Sequence, residues 1–149
     1  MIRDAIKISK IHLERLERAT DEIKRMGKLE DVEIEDFEII KTIDTFIFRF
    51  MKLQDYMGYK LFKSFLIETG DYRDDMSFID MLDKLEKLKI IDSAENWIKL
   101  RKLRNKLAHE YPDELEEILA DIKEALKWSG YFKNVLLNMI TYLKKRGKI

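Results

Sequence analysis

The chain has 149 residues, and 39% of them are Asp, Glu, Lys or Arg, yet 29 basic and 29 acidic residues cancel to a formal net charge of zero. This length and the apolar content suit a single core, so we expect one domain over residues 1–149. The neutral balance gives no global attraction for nucleic acid, and any RNA contact must come from a local basic patch.

The rare residue types exclude several kinds of site. The absence of cysteine excludes a disulfide framework, a thiolate zinc site and a cysteine nucleophile. Two histidines, His12 and His109, are too few for a histidine-rich metal site, and we predict neither a metal nor a cofactor. No segment approaches the ~20 apolar residues of a membrane span, and the N-terminus lacks the apolar run of a signal peptide. We therefore expect a soluble cytoplasmic protein that does not associate with membranes.

One proline and five glycines are too few for the turns of an all-β fold of this length, so the predicted class is all-α. A first helix is predicted from about Asp4 to Met26, because apolar residues recur mostly every three or four positions. Gly27 follows, where a helix commonly stops. The apolar positions assigned to this helix are Ile8, Ile11, Leu13, Leu16, Ala19 and Ile23.

A long second helix is predicted from about Ile34 to Ile67, and its nearly apolar middle indicates burial on more than one side. The residues assigned to its apolar surface are Phe37, Ile40, Ile43, Ile47, Phe50, Met51, Leu61, Phe62 and Phe65. Asp44, Arg49 and Asp55 interrupt this surface. Because a buried charge needs a partner, we interpret each of the three as a member of a salt bridge or as an edge position.

Two shorter helices follow. Ser77 and Asp80 have the spacing of a capping box, which predicts a third helix that continues to about Lys89. A fourth helix is predicted to begin at Asp92 or Ser93 and to run through Leu107.

The last predicted helix begins near Pro112, whose missing amide proton costs nothing in a first helical turn, and it continues through Leu143. Gly130 lies within it as a candidate kink rather than a break. Five helices, two of them long, predict an antiparallel four- to five-helix bundle with short connections.

The stretch 101–112, Arg-Lys-Leu-Arg-Asn-Lys-Leu-Ala-His-Glu-Tyr-Pro, concentrates four cations ahead of His109, with an acid and a tyrosine directly after it. Metal-free RNA cleavage needs a base for the ribose 2′-hydroxyl, a cation for the phosphate and an acid for the leaving oxygen. One histidine and one arginine supply much of that set.

Helix geometry qualifies this interpretation. Arg104 and His109 are five residues apart, which on an ideal helix separates their directions by about 140°. Pro112 disfavours helical geometry at Tyr111, so we predict that His109 lies in the last turn, where the backbone redirects its ring. A single histidine leaves the acid role unfilled, and a symmetric homodimer would bring in a second His109.

These residues resemble a known family. Arg104-Asn105-x-x-x-His109 matches the motif of the HEPN superfamily, and the extension through Tyr111 is similar to the Arg-x4-His-x-Tyr pattern of HepT-like toxins. The resemblance implies a HEPN-like helical fold and a homodimer with its active cleft at the interface. It also implies that Arg104 and His109 form a metal-independent endoribonuclease pair and that Asn105 orders the site, with Lys106 in support.

The resemblance further implies a partner for Tyr111. In HepT-like systems this tyrosine receives AMP from an MntA-like nucleotidyltransferase antitoxin. A phosphodiester two residues from the histidine would fill the RNA cleft and repel the phosphates of the substrate.

Simpler interpretations stay open for each residue. A histidine at a helix end is commonly a capping or dipole-compensating residue. Lys106 either contacts phosphate or balances Glu110, Tyr111 packs beside Pro112, and His12 is structural. The sequence thus leaves two functions: a ribonuclease toxin of a type VII-like toxin–antitoxin pair, or a non-catalytic helical partner of a nucleotidyltransferase.

Overall fold

Helices account for nearly all of the regular structure. The computed structural model describes residues 1–29, 35–109 and 115–149, and no residue in these ranges belongs to a β-strand. The helical segments are α1 (Ile2–Arg25), α2 (Phe37–Tyr56), a π-helical turn (Met57–Leu61), α3 (Phe62–Glu68), α4 (Phe78–Lys87), α5 (Ala94–Ala108) and α6 (Leu115–Lys145). The segments α2, the π-helical turn and α3 form one continuous helix, so the described residues contain five helices. The predicted all-α bundle of four to five helices is confirmed. No helix in the described ranges is long and apolar enough to cross a membrane.

The first helix buries one stripe of residues. Its buried members are Ile2, Ala5, Ile6, Ser9, Leu13, Leu16, Ala19, Thr20 and Ile23. The assignment of Ile8 and Ile11 to the apolar face is wrong, since both are exposed. Each residue turns the helix by about 100°, which carries these two positions away from the stripe. The helix ends as predicted, because Met26 is its C-cap and Gly27 adopts a φ of 84°.

The start of α2 is fixed by a side-chain cap. Asp36 accepts a hydrogen bond from the backbone N–H of Glu38 at 2.9 Å, and the predicted start at Ile34 lies outside the described residues. The helix packs against α1, α5 and α6, which confirms burial on several sides. Phe37 was wrongly assigned to the apolar surface, because in this first turn its ring is exposed. Asp44 is exposed too, as expected of an edge position.

The π-helical turn interrupts the regular hydrogen bonding of this long helix. The backbone N–H of Phe62 donates to the carbonyl of Met57, five residues earlier, instead of the usual four. Met57 and Leu61 stay fully buried, while Tyr59 between them is 75% exposed. This turn was not predicted from the sequence, although the predicted helix end at Ile67 lies within one residue of the observed end at Glu68.

The two short helices begin at the predicted caps. Ser77 Oγ accepts from the backbone N–H of Asp80 at 3.1 Å, and Asp80 Oδ2 accepts from the backbone N–H of Ser77 at 3.0 Å, so the capping box is confirmed. Ser93 Oγ accepts from the backbone N–H of Asn96 at 3.0 Å, and α5 begins directly after this cap, at Ala94.

An aromatic cluster holds α2, α5 and α6 together. The Phe132 ring from α6 meets Phe50 of α2 edge-on at 5.4 Å and Trp97 of α5 at 6.0 Å. Phe62 packs against Trp97 with ring centroids 4.5 Å apart and the ring planes tilted by 55°. The helix α6 passes Gly130 without a break, and the predicted start at Pro112 lies outside the described residues. This cluster fixes the face that α5 turns toward α2, and the motif residues follow on that helix.

Candidate active site

Arg104 on α5 forms a two-pronged ion pair with Asp55 on α2. Nε donates to Oδ1 at 2.9 Å, and Nη2 donates to Oδ2 at 2.8 Å. The side chains are 27% and 40% exposed, so the pair lies at the edge of the α2–α5 seam. A pair this exposed contributes about 1 kcal/mol or less to stability. Its main effect is to fix the direction of the guanidinium.

The guanidinium keeps hydrogen-bonding capacity beyond this pair. Nη1 of Arg104 also donates to Oδ1 of Asn105 at a long 3.5 Å. Since arginine carries five N–H donors, these three bonds leave one N–H on each terminal nitrogen without an acceptor among the described residues. Hydrogen bonding to Asp55 raises the pKa of Arg104, and nearby Tyr59 adds to this rise, so the cation stays charged. Two donors on one planar group match the oxygens of a phosphate.

His109 stands where α5 ends. It is the C-cap, with φ −75° and ψ 146°, and its backbone N–H donates to the carbonyl of Lys106 at 3.1 Å. The backbone therefore leaves the helix after this residue, and the His109 side chain is exposed. The structure does not join the two motif residues directly, because the hydrogen bonds of the Arg104 guanidinium go to Asp55 and Asn105.

The supporting residues surround this helix end. Asn105 and Lys106 are both exposed, and Asn105 contacts the guanidinium as noted above. Tyr111, the predicted modification site, lies outside the described residues, as do Glu110 and Pro112. The described part of the motif is therefore a cation with a fixed direction, an amide beside it and an exposed imidazole at the end of the same helix.

A pocket beside Asp55 adds residues that the sequence analysis did not assign to the site. It has a volume of about 150 Å³. Its lining residues are Gln54, Asp55, Gly58, Tyr59, Phe78 and Arg101. Arg101 is the first of the four cations in the stretch 101–112, and its guanidinium lies over the Phe78 ring, 4.8 Å from the ring centroid. Gly58, an isolated glycine inside a helical pattern, was the available sequence signal for this pocket.

The second histidine lies elsewhere. His12 is on α1, and its ring centroid is 5.6 Å from that of Tyr56 on α2. Its Nδ1 is buried and forms no hydrogen bond within the described residues. Burial, together with the charges of Arg15, Arg49 and Lys52, lowers the pKa of His12. A largely neutral imidazole that packs between helices has a structural role, which is how the sequence was interpreted.

The arrangement suits anionic substrates. The helix α5 presents Arg101, Lys102, Arg104 and Lys106 ahead of the imidazole, and it carries one acid, Glu95. Cations on several sides of one helix attract a phosphodiester toward it despite the zero net charge of the chain. Across residues 1–29, 35–109 and 115–149, no three His, Asp or Glu side chains are grouped so that they could hold a metal ion.

Comparison of the chain with family models, curated proteins and solved structures gives no match. Function is therefore inferred from the residues and their geometry.

Proposed function

We propose that the protein is a metal-independent endoribonuclease toxin in which Arg104 and His109 act on the RNA phosphodiester. The observation that carries this proposal is the ion pair with Asp55, which directs the Arg104 guanidinium while it leaves two N–H donors for a phosphate. The exposed imidazole at the end of the same helix supplies a group for proton transfer. The HEPN-type spacing of these residues agrees with this assignment.

The reaction is an attack by the neighbouring ribose hydroxyl. His109 accepts the proton of the 2′-hydroxyl, and the 2′-oxygen attacks phosphorus. The bond from phosphorus to the 5′-oxygen breaks, and that oxygen leaves with a proton from a general acid. Arg104 donates hydrogen bonds to the phosphate oxygens, where negative charge builds in the transition state. The products are a 2′,3′-cyclic phosphate and a 5′-hydroxyl.

The general acid comes from a second copy of the chain. His12 packs against Tyr56 and does not fill this role. A symmetric homodimer places the same surface of both chains together, so that a second His109 enters the cleft. The proposed functional unit is therefore a homodimer with its cleft near the end of α5.

Regulation follows from the position of Tyr111, two residues after His109. An MntA-like nucleotidyltransferase antitoxin transfers AMP from ATP to the phenol oxygen and releases pyrophosphate. The added group carries negative charge and bulk into the cleft, so it excludes RNA.

The proposal is tested by RNA cleavage in excess chelator, with the wild type and His109→Ala compared on several RNAs. We expect the wild type to cleave and His109→Ala to be slower by about 100-fold or more, the contribution of a general base. Lys99→Ala serves as the control, since Lys99 is an exposed residue of α5 that pairs with Glu95.

Two outcomes contradict the proposal in different ways. If the wild type and His109→Ala are both silent on all RNAs, the protein acts instead as a non-catalytic helical partner of a nucleotidyltransferase. If cleavage requires a divalent metal, the metal-independent mechanism is wrong.

A further inference from the structure

We propose that the pocket between the π-helical turn and α5 binds one nucleobase of the RNA strand, next to the phosphate that Arg104 contacts. This inference rests on the proposed ribonuclease function and adds a subsite to it. Asp55 belongs to both places, because its carboxylate holds Arg104 and also lines the pocket. Only the Asp55 side chain therefore separates a ligand in the pocket from the Arg104 guanidinium.

The size of the pocket favours a single ring system. Its volume of about 150 Å³ is well below the ~300–1,000 Å³ of pockets that enclose a drug-sized ligand. Gly58 contributes to this space because it has no side chain on the pocket wall. A Cβ built at Gly58 would lie 3.7 Å from Trp97 Cζ2 and 3.8 Å from Phe78 Cζ, which is ordinary contact.

The chemistry of the walls matches a base, which has flat aromatic faces and a polar edge. Tyr59 is 75% exposed at the pocket mouth and offers a ring for stacking. Arg101 over Phe78 provides a second flat surface on the α5 side. Asp55 keeps unused lone pairs on both oxygens beyond the two bonds from Arg104, and these accept N–H donors of a base edge.

Polar groups at depth point to a ligand with hydrogen-bonding atoms. Gln54 is 3% exposed and lines the pocket, so its amide is available to a base there. Close to the wall at Gly58, Trp97 Nε1 is buried without a hydrogen-bond partner in the described residues. Trp97 is fully buried and does not line the pocket, so this nitrogen lies behind the pocket wall, and Gln54 is the deep polar group that a base can contact.

A path for the strand continues on the other side of Tyr59. A second cavity, of about 400 Å³, shares this tyrosine. Its other lining residues are Met1, Lys60, Lys63, Ser64 and Ile67. Both lysines are exposed, and Lys63 Nζ lies 5.1 Å from the Tyr72 ring centroid. Cations on one side of the tyrosine and Arg104 on the other would contact consecutive phosphates of a single strand.

The test is the equilibrium binding of nucleoside 5′-monophosphates, with ribose 5-phosphate as the probe that lacks a base. Titration calorimetry in excess chelator compares the wild type with Gly58→Ala and Tyr59→Ala. Gly130→Ala is the control for the glycine, since a Cβ there meets nothing within 4 Å. Phe37→Ala, at the other end of α2, is the control for loss of an exposed ring.

We expect at least one monophosphate to bind the wild type about 10-fold more tightly than ribose 5-phosphate, because stacking on an aromatic ring strengthens binding by roughly this factor or more. Gly58→Ala adds a methyl group to the pocket wall and so displaces a base from its contact with Tyr59, whereas Tyr59→Ala removes the ring itself. Both should therefore weaken this binding about 5-fold or more through loss of stacking. Neither change should alter the weak binding of ribose 5-phosphate. Both variants should fold, since alanine suits a helix better than glycine and Tyr59 is exposed.

Equal affinity for the monophosphates and ribose 5-phosphate would overturn the subsite, as would unchanged monophosphate binding by Gly58→Ala and Tyr59→Ala. If these results appear while the wild type still cleaves RNA, the proposed ribonuclease stands without the subsite. If the wild type cleaves no RNA but its monophosphate binding depends on Gly58 and Tyr59, the subsite stands and the ribonuclease function fails.

Discussion

The proposed role of Arg104 in RNA cleavage depends on the planar shape of the guanidinium as well as on its charge. Arg104→Lys keeps the charge, but one ammonium nitrogen does not reproduce the two parallel bonds to Asp55 and also present two donors to a phosphate. We expect initial rates of RNA cleavage to fall by about 10-fold or more. The free energy of unfolding in urea should change by about 1 kcal/mol or less, because the ion pair lies at the edge of the seam and is partly exposed.

The cleavage rate and the free energy of unfolding of Lys99→Ala serve as the control. They show how much of the change in Arg104→Lys comes from the lost guanidinium geometry and how much a general loss of positive charge on α5 would cause. Lys99 is exposed and pairs with Glu95 along that helix. Cleavage by Arg104→Lys at the wild-type rate would contradict the assigned role of the guanidinium fork.

His12 gives the fold a dependence on pH. Burial and three nearby cations lower its folded-state pKa below the ordinary value of 6.5, so the unfolded chain binds the proton more readily. The stability that neutral His12 provides is present above pH 6.5 and is lost as the pH falls through the lowered folded-state pKa. His12→Gln carries no titrating group, and its melting temperature should fall less than that of the wild type between pH 7.5 and pH 5. Parallel pH profiles for the two proteins would show that His12 does not titrate differently on folding.

At the scale of the elements, side-chain caps decide where several helices begin. Ser77→Ala removes the acceptor for the backbone N–H of Asp80 and breaks the reciprocal capping box. We expect a loss of about 1 kcal/mol in the free energy of unfolding, measured by urea denaturation. The change also loosens the start of α4 at Phe78, which lines the pocket beside Asp55.

Ser129→Ala is the matched control for this cap. The Ser129 hydroxyl donates to the carbonyl of Leu126 inside α6, where no helix terminus depends on it. This substitution should cost less than about 0.5 kcal/mol, because Ser129 is only half-buried and lies away from any cap. Equal costs for the two serine substitutions would mean that the capping box does not stabilise α4.

The helices could be predicted because their signals are local. Ser77, Ser93 and Gly27 mark helix ends through bonds to residues within four positions, and the structure confirms all three. The π-helical turn was not predictable, because one extra residue in a continuous helix leaves the apolar spacing nearly unchanged. The exposure of Ile8 and Phe37 was missed for another reason: an apolar residue does not have to be buried.

The candidate site was predictable only in part. Arg104 and His109 follow from the spacing of one short motif, whereas Asp55 lies 49 residues from Arg104 in the chain. The sequence indicated that Asp55 needs a partner if buried, but spacing alone does not choose among the many cations. Tertiary packing of α2 on α5 makes that choice. The pocket likewise depends on tertiary packing, because its lining residues come from three separate helices: the continuous helix of α2 and the π-helical turn, α4, and α5.

At the scale of the whole molecule, the proposed cleft needs two chains, so activity should depend on association. On serial dilution, the cleavage rate per chain should fall in parallel with the dimer fraction measured by light scattering or sedimentation. The motif then supplies two copies of His109, one as base and one as acid. A monomer at micromolar concentration that cleaves RNA at an undiminished rate per chain would contradict the dimer cleft.

The central claim is that His109 and Arg104 promote attack by the ribose 2′-hydroxyl without a metal, and the termini of the RNA fragments test it most directly. Mass spectrometry of fragments produced in excess chelator should find a 2′,3′-cyclic phosphate on one fragment and a 5′-hydroxyl on the other. His109→Ala should not form them at a comparable rate. Fragments with a 3′-hydroxyl and a 5′-phosphate would instead show attack by water, and the account of this site would be wrong.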